Sequence, residues 1–316
     1  MNLAIAFLLS IAGFFFLWKG ADWLVEGAAS IALAAKMSTI VVGITVVAFG
    51  TSLPEMAVSL AASVKGEPEI TLGNVIGSNI ANILLVLGLA ALVNPLKVDR
   101  PVVTRDTMLV LGAGVLILLL ALTGSLTRVH GLIMLAAFGA YLAYYVRDAM
   151  RHHEMGDIEI RDYHPVRSVV MLMGGIICIL VGSDILVDSA VYIAEDFGIS
   201  PAIIGLTMIA IGTSLPELAT SAVASKKGES DISIGNVLGS NVFNTLLVLG
   251  LAAFLFAGSI PVDEALLWDV GLMTVVCLFL VPTLWTDHTL TRQEGAFMLV
   301  VYAVYIASLA YRQGIV

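Results

Sequence analysis

Two stretches of this chain are copies of one another. Residues 22–90 align without a gap on residues 162 positions later, setting Asp22 on Asp184, Gly43 on Gly205, Thr45 on Thr207, Lys65 on Lys227 and Gly88 on Gly250. In the densest block, "GNVIGSNIANILLVLGLA" from Gly73 and "GNVLGSNVFNTLLVLGLA" from Gly235 agree at 14 of 18 positions. A match of that density is not chance, so the chain is built from two similar halves.

What the halves are follows from their composition. Of 316 residues, 59% are hydrophobic and 12% charged, with a mean hydropathy of +1.01. Soluble domains hold about 45–50% apolar residues, so this is an integral membrane protein. Runs such as Met108 to Leu122 and Val169 to Ser183 approach the ~20 residues a helix needs to cross the hydrocarbon. "VLGAGVLILLLAL" lacks the alternation of a barrel strand. The amino-terminal run has no basic leader and no small-residue cleavage site, and reads as a first span.

Hydropathy predicts ten spans, near 3–34, 38–64, 70–94, 104–123, 129–147, 167–194, 201–225, 232–257, 265–284 and 292–311. The first repeat takes residues 1–150, a charged connecting loop 151–166, and the second repeat 167–316. Five spans is an odd number, so the second repeat enters the membrane from the opposite side. The expected fold class is therefore all-α: ten transmembrane helices in two inverted-topology repeats of five, an architecture many secondary transporters share.

Charge then orients the chain. The loops after spans 2, 4, 6 and 8, with the tail, hold three basic residues, Lys65, Arg128 and Arg312, and the opposite face holds eleven. Positive residues stay in the cytoplasm, so both termini are expected outside and the central loop inside. A net charge of −9 argues against nucleic acid as a partner, because phosphates demand a basic surface. Cys178 and Cys277 sit within apolar runs and read as buried hydrophobes without a disulfide. The lipid bilayer is the expected surrounding, and nothing requires an oligomer.

The hexapeptide "GTSLPE" occurs twice inside these apolar runs, at 50–55 and 212–217. Pro54 and Pro216 lack an amide hydrogen and clash with the carbonyl four residues back, so spans 2 and 7 must break there. Backbone groups freed in a bilayer are tolerated only inside protein or beside a wet cavity. Carbonyls of 48–51 and 210–213 thus become candidate ligands, those of Ala48 and Ala210 among them. Glu55 and Glu217 follow at once. A carboxylate at mid-membrane costs about 2.5 kcal/mol or more, and such residues mark ion or substrate paths.

Spans 3 and 8 bring "GNVIGSNIAN" and "GNVLGSNVFN", in which Asn74, Ser78 and Asn82, and Asn236, Ser240 and Asn244, each form a polar stripe at four-residue spacing. Asn74 and Asn236 also suit plain hydrogen bonding between helices. Together the midplane offers Glu55 and Glu217, the hydroxyls of Thr51, Ser52, Thr213, Ser214, Ser78 and Ser240, the amide oxygens of Asn82 and Asn244, and the freed carbonyls. Every donor is oxygen. That set suits a hard cation, and Ca²⁺ takes roughly 6 to 8 oxygens, whereas a transition metal would favour His or Cys.

On these motifs the chain resembles the sodium/calcium exchanger family of the cation/calcium antiporter superfamily, in its prokaryotic form, with the two alpha-repeats at 43–90 and 205–252. The resemblance implies a secondary antiporter rather than an enzyme, with no cofactor and with Na⁺ and Ca²⁺ as substrates. It implies that Glu55 and Glu217 are the carboxylates Ca²⁺ and Na⁺ share. The carbonyls of Ala48, Thr51, Ala210 and Thr213 and the hydroxyls of Ser52, Ser214, Ser78 and Ser240 would line flanking Na⁺ sites. It further implies that the long spans 1 and 6 slide across the rest. Asn244 stands where many relatives carry an aspartate tied to K⁺ use, which argues for K⁺ independence.

The residues themselves leave rivals open. A proton/calcium antiporter would use the same two glutamates, and a channel would conduct without a counter-ion. An intramembrane hydrolase finds no mid-membrane His beside any Ser and no metalloprotease helix motif. Asp22 and Asp184 read as structural or vestibule charges, Lys19 standing three residues before Asp22 as an ion-pair partner.

Overall fold

The computed structural model describes residues 2–35, 37–100, 102–151, 165–198, 212–256, 258–285 and 288–312. Among these the chain is nearly all helical. The helices are α1 (Leu3–Ala34), α2 (Thr39–Thr51), α3 (Leu53–Lys65), α4 (Ile70–Val93), α5 (Thr104–Ala121), α6 (Arg128–Arg151), α7 (Pro165–Asp196), α8 (Leu215–Lys227), α9 (Ser230–Leu255), α10 (Glu264–Trp285) and α11 (Arg292–Arg312). Eight are long and apolar enough to cross a membrane, and α2 with α3 forms a ninth, broken span. The start of the seventh expected span, 201–211, and most of the connecting loop, 152–164, lie outside the described residues.

Two-residue strands clasp the loops. β1 (Leu96–Lys97) pairs antiparallel with β4 (Thr289–Leu290), and β2 (Ser125–Leu126) with β3 (Ile260–Pro261). Each clasp joins one repeat to the other.

Glycine spacing explains the longest helix contact. Gly13, Gly20 and Gly27 recur every seven residues on α1 and face Gly182, Gly175 and Ser168, spaced alike on α7. The pairing descends as the first series rises, so the helices are antiparallel. A Cβ on Gly20 would lie 2.9 Å from the Gly175 carbonyl oxygen, and one on Gly175 would lie 2.7 Å from that of Gly20. Small residues are what let two membrane helices meet backbone to backbone. The α1/α7 pair flanks a separate, largely buried core in which α4 and α9 lie innermost: 78% and 83% of their apolar windows are buried, against 22% and 28% for α1 and α7.

Both central helices contain a π-helical turn, Asn82–Leu87 in α4 and Phe243–Val248 in α9, at nearly equivalent positions of the two repeats. A third, Gly43–Val47, interrupts α2. Residue patterning gave no warning of these turns, which are frequent at functional sites. Cys277 is buried, but Cys178 is only partly so, which corrects the expectation of two buried thiols; both are free.

Candidate functional site

The first GTSLPE breaks its span as proline chemistry requires. α2 ends at Thr51, α3 starts at Leu53, and their axes differ by 47°. Pro54 falls in the first turn of α3, where a missing amide hydrogen does no harm. In the second copy Pro216 opens α8 in the same way, and the backbone of Ser214 (φ −89°, ψ 5°) repeats that of Ser52 (φ −83°, ψ 7°). Glu55 and Glu217 thereby land in the first turn of a helix, the end that favours negative charge. Both carboxylates are completely buried.

Glycines press α9 against the break. A Cβ on Gly239 would strike the Ile44 carbonyl in the π turn of α2, and one on Gly235 would lie 2.9 Å from the Ile40 carbonyl oxygen. That approach carries the polar stripe of α9 to Thr51, whose hydroxyl donates to Asn236 Oδ1 at 3.0 Å and lies 3.5 Å from Ser240 Oγ. The equivalent contacts hold on α4: Thr213 donates to Asn74 Oδ1 at 3.4 Å and lies 3.3 Å from Ser78 Oγ.

Asn74 and Asn236 serve as braces. Asn74 Nδ2 donates to the Glu55 carbonyl at 3.3 Å and to Ser59 Oγ at 3.1 Å, and Asn236 Nδ2 to the Glu217 carbonyl at 3.4 Å and Ser221 Oγ at 3.0 Å. Both therefore position the glutamate helices, as the hydrogen-bonding reading of these residues anticipated.

The carboxylates differ in their own partners. Glu217 Oε1 accepts from Ser52 at 3.2 Å and from Ser240 at 3.3 Å. Both oxygens of Glu55, Oε2 of Glu217, the Ser214 hydroxyl, Asn82 Oδ1 and both amide atoms of Asn244 are buried with no hydrogen-bond partner among the described residues. Burying such groups unpaired is expensive, and a cluster rich in unpaired oxygens fits a bound cation that they would share. No group of three or more His, Cys, Asp and Glu that could hold a metal ion occurs among the described residues, so neutral oxygens must make up most of any coordination shell.

Two expectations need adjustment. The Ala48 carbonyl is not freed by the break: it accepts the Ser52 amide at 3.0 Å and lies 3.3 Å from the Thr51 hydroxyl, because the chain turns only after Thr51. Ala210 lies outside the described residues. The carbonyl that Pro216 deprives of its helical partner, Gly212, accepts instead from Ser183 of α7 at 3.2 Å. Sequence reading also missed Asn79, Asn241 and Thr245, which lie off the four-residue stripes. Asn79 and Asn241 are nonetheless equivalent in the two repeats, and that was the available signal.

Comparison with known proteins bears directly on this geometry. The family model described as "Sodium/calcium exchanger protein" matches residues 5–147 and 167–311, one copy on each repeat. The chain belongs to that family. The inner membrane protein YrbG of Escherichia coli is 37% identical over 287 residues, 88% of each chain. The sodium/calcium exchanger MaX1 of Methanosarcina acetivorans is 30% identical, over 98% of this chain and 99% of its own. The solved structure of the sodium-calcium exchanger NCX_Mj soaked with Na⁺ and Sr²⁺ superposes with a TM-score of 0.86 at 33% identity, covering 98% of this chain and 99% of its own. This member of the sodium/calcium exchanger protein family is thus a membrane protein of a transporter fold with two repeats.

Proposed function

We propose that this protein is a secondary antiporter that exchanges Na⁺ for Ca²⁺ by alternating access, with Glu55 and Glu217 as the carboxylates both ions share. One observation carries the reading: two fully buried glutamates, each placed by a proline break in one of two related repeats, with three of their four oxygens unpartnered among the described residues. Thr51, Thr213, Ser52, Ser214, Ser78, Ser240, Asn82 and Asn244 are the neutral ligands proposed around them. The carbonyls of Ala48 and Ala210 complete the set, that of Ala48 through a lone pair beyond its helical bond.

The charge balance sets the mechanism. Two glutamates match one Ca²⁺ or two Na⁺. A third Na⁺, held by neutral oxygens, leaves the sodium-loaded form net positive, so that exchange moves charge. Each elementary charge then couples to about 2.3 kcal/mol per 100 mV. An empty site keeps two unpaired charges in low dielectric and resists crossing, which makes exchange obligatory. Asn244 adds no third acid, in keeping with K⁺ independence. The eleven-to-three distribution of basic residues supports termini outside and the central loop in the cytoplasm.

Purified protein in liposomes tests the reading. Ca²⁺ uptake driven by an outward Na⁺ gradient, and stimulated by a membrane potential of the matching sign, is the expected result. Uptake driven by a pH gradient and indifferent to Na⁺ would assign the same two glutamates to proton/calcium exchange.

A further inference from the structure

We infer that Asn241 is a positioning residue of the cation site, turning the Asn82 amide so that its oxygen faces the ions, and that Thr245 withholds the same constraint from Asn244. The inference rests on the exchanger reading above and concerns how its two neutral amides are set.

Which way round an amide stands is usually ambiguous, but here a backbone group decides it. Asn241 Nδ2 lies 3.2 Å from the carbonyl oxygen of Asn79. A carbonyl only accepts, so this end of Asn241 must be its NH₂, and its Oδ1 must point the other way. Asn82 lies 3.1 Å from that Oδ1, so Asn82 in turn must present its NH₂. The Asn82 oxygen is left buried, with no partner among the described residues, one helical turn beyond Ser78 on the stripe that meets Thr213. Two hydrogen bonds in series thus fix an acceptor at the site.

The mirror-image chain would run from the Asn241 carbonyl through Asn79 to Asn244. It begins but does not continue. Asn79 Nδ2 lies 3.5 Å from the Asn241 carbonyl and 3.4 Å from Met273 Sδ, yet makes its short bond, 2.6 Å, to the Thr245 hydroxyl. Asn79 Oδ1 has no partner among the described residues, and neither does either amide atom of Asn244. The residue equivalent to Thr245 in the first repeat is Ile83, which offers Asn241 no hydroxyl. The site therefore has one amide locked as an acceptor and one free to turn.

A double-mutant cycle tests this, read as Ca²⁺ binding to purified protein by calorimetry and as Na⁺-driven ⁴⁵Ca²⁺ uptake in liposomes. Asn82→Asp makes both terminal atoms oxygen, so orientation ceases to matter. Asn241→Val should raise half-saturating Ca²⁺ by about 3- to 20-fold in the native background, the span of hydrogen bonds between membrane helices. In the Asn82→Asp background it should raise it by less than about twofold. An equal loss in both backgrounds would mean that Asn241 merely packs, and would overturn the proposal.

Thr245→Val removes the hydroxyl at constant shape and serves if Asn241→Val does not fold. It should let Asn79 lock Asn244 and lower half-saturating Ca²⁺ by about threefold or more, an effect lost in an Asn244→Asp background. An unchanged value in the native background counts against the inference. Absence of Na⁺-driven uptake by the unmutated protein would remove the exchanger reading itself, whereas uptake with an additive cycle removes only the role of Asn241.

Discussion

Glu55 and Glu217 are equivalent residues in equivalent helices, yet only one of them is held. Ser52 and Ser240 both donate to Glu217, while Ser214 and Ser78, their counterparts, leave Glu55 without a donor among the described residues. The letters involved are identical in the two repeats, so this difference belongs to the conformation. Elsewhere the letters differ. Ser183 satisfies the Gly212 carbonyl from α7, whereas the equivalent residue of α1 is Ala21 and has no hydroxyl to offer Gly50. Two kinds of asymmetry are therefore layered on one duplication. An inverted-repeat transporter needs the first kind, since exchanging the roles of its repeats is how it turns from one side to the other.

The largest effect should fall on the carboxylates. Glu55→Gln and Glu217→Gln each keep the shape and remove one of the two charges proposed to balance Ca²⁺, and each should abolish Ca²⁺ transport while leaving a cooperative thermal transition. Robust uptake by either variant would break the pairing of the two repeats in a single site.

Next in size is the seam between α1 and α7. Gly175→Leu places a side chain where a Cβ already lies 2.6 Å from the Leu24 amide nitrogen, so it should force the helices apart and abolish exchange or folded yield. Its neighbour is the control. A Cβ on Gly174 would meet only the edge of Trp23, at 3.8 Å, and Gly174→Leu should behave as the native protein does in size-exclusion profile and uptake. Loss in both would show that bulk anywhere on this helix is harmful, and the glycine pairing would lose its meaning.

A smaller difference separates the serines. Ser52→Ala removes a hydrogen-bond donor to Glu217, typically about 0.5–1.5 kcal/mol, so half-saturating Ca²⁺ should rise by about two- to tenfold. Ser214→Ala removes a hydroxyl that has no partner among the described residues and should cost less. Equal shifts in calorimetry would mean that the protein at rest visits both arrangements equally.

The spans seen among the described residues and the helix starts at Pro54 and Pro216 were legible because they follow from rules that act within a few residues. Apolar length sets the spans, and a missing proline amide hydrogen sets the breaks. The oxygen-rich character of the site was legible because the duplication repeated each polar letter at the same depth. What was not legible depends on the partner helix. The Ala48 carbonyl looked free from its own sequence, but the Ser52 amide reaches it because the helix runs on through Thr51 before it bends. The roles of Asn79, Asn241 and Thr245 arise where α4 meets α9, and no spacing within one helix carries that information. The π turns came as a surprise for the same reason.

The smallest predicted effect concerns the two ends of the α1/α7 pair. At one end Lys227, closing α8, bonds Asp22 Oδ1 at 2.6 Å and lies 3.9 Å from Glu26 Oε2. Lys19 also bonds Asp22, at 2.7 Å. The equivalent residues at the other end, Lys65, Asp184 and Asp188, are all exposed and form no ion pair among the described residues. Among the described residues, ion pairs thus fasten the α1/α7 pair to the second repeat's broken helix and not to the first's. The paired groups are partly exposed, and such pairs contribute about 0–1 kcal/mol, so Lys227→Ala should change the balance between the two proposed access states by no more than about fivefold. The expected readout is the rate at which an impermeant thiol reagent labels a cysteine introduced near Lys65 or near Lys227. Lys227→Ala should slow the first and speed the second, Lys65→Ala should do little, and raised salt should shrink the difference as it screens the pair. Exchanging the charges in Lys227→Asp with Asp22→Lys should restore the native rates. If Lys65→Ala shifts labelling as much as Lys227→Ala does, the fastening at one end is not what holds the pair in place.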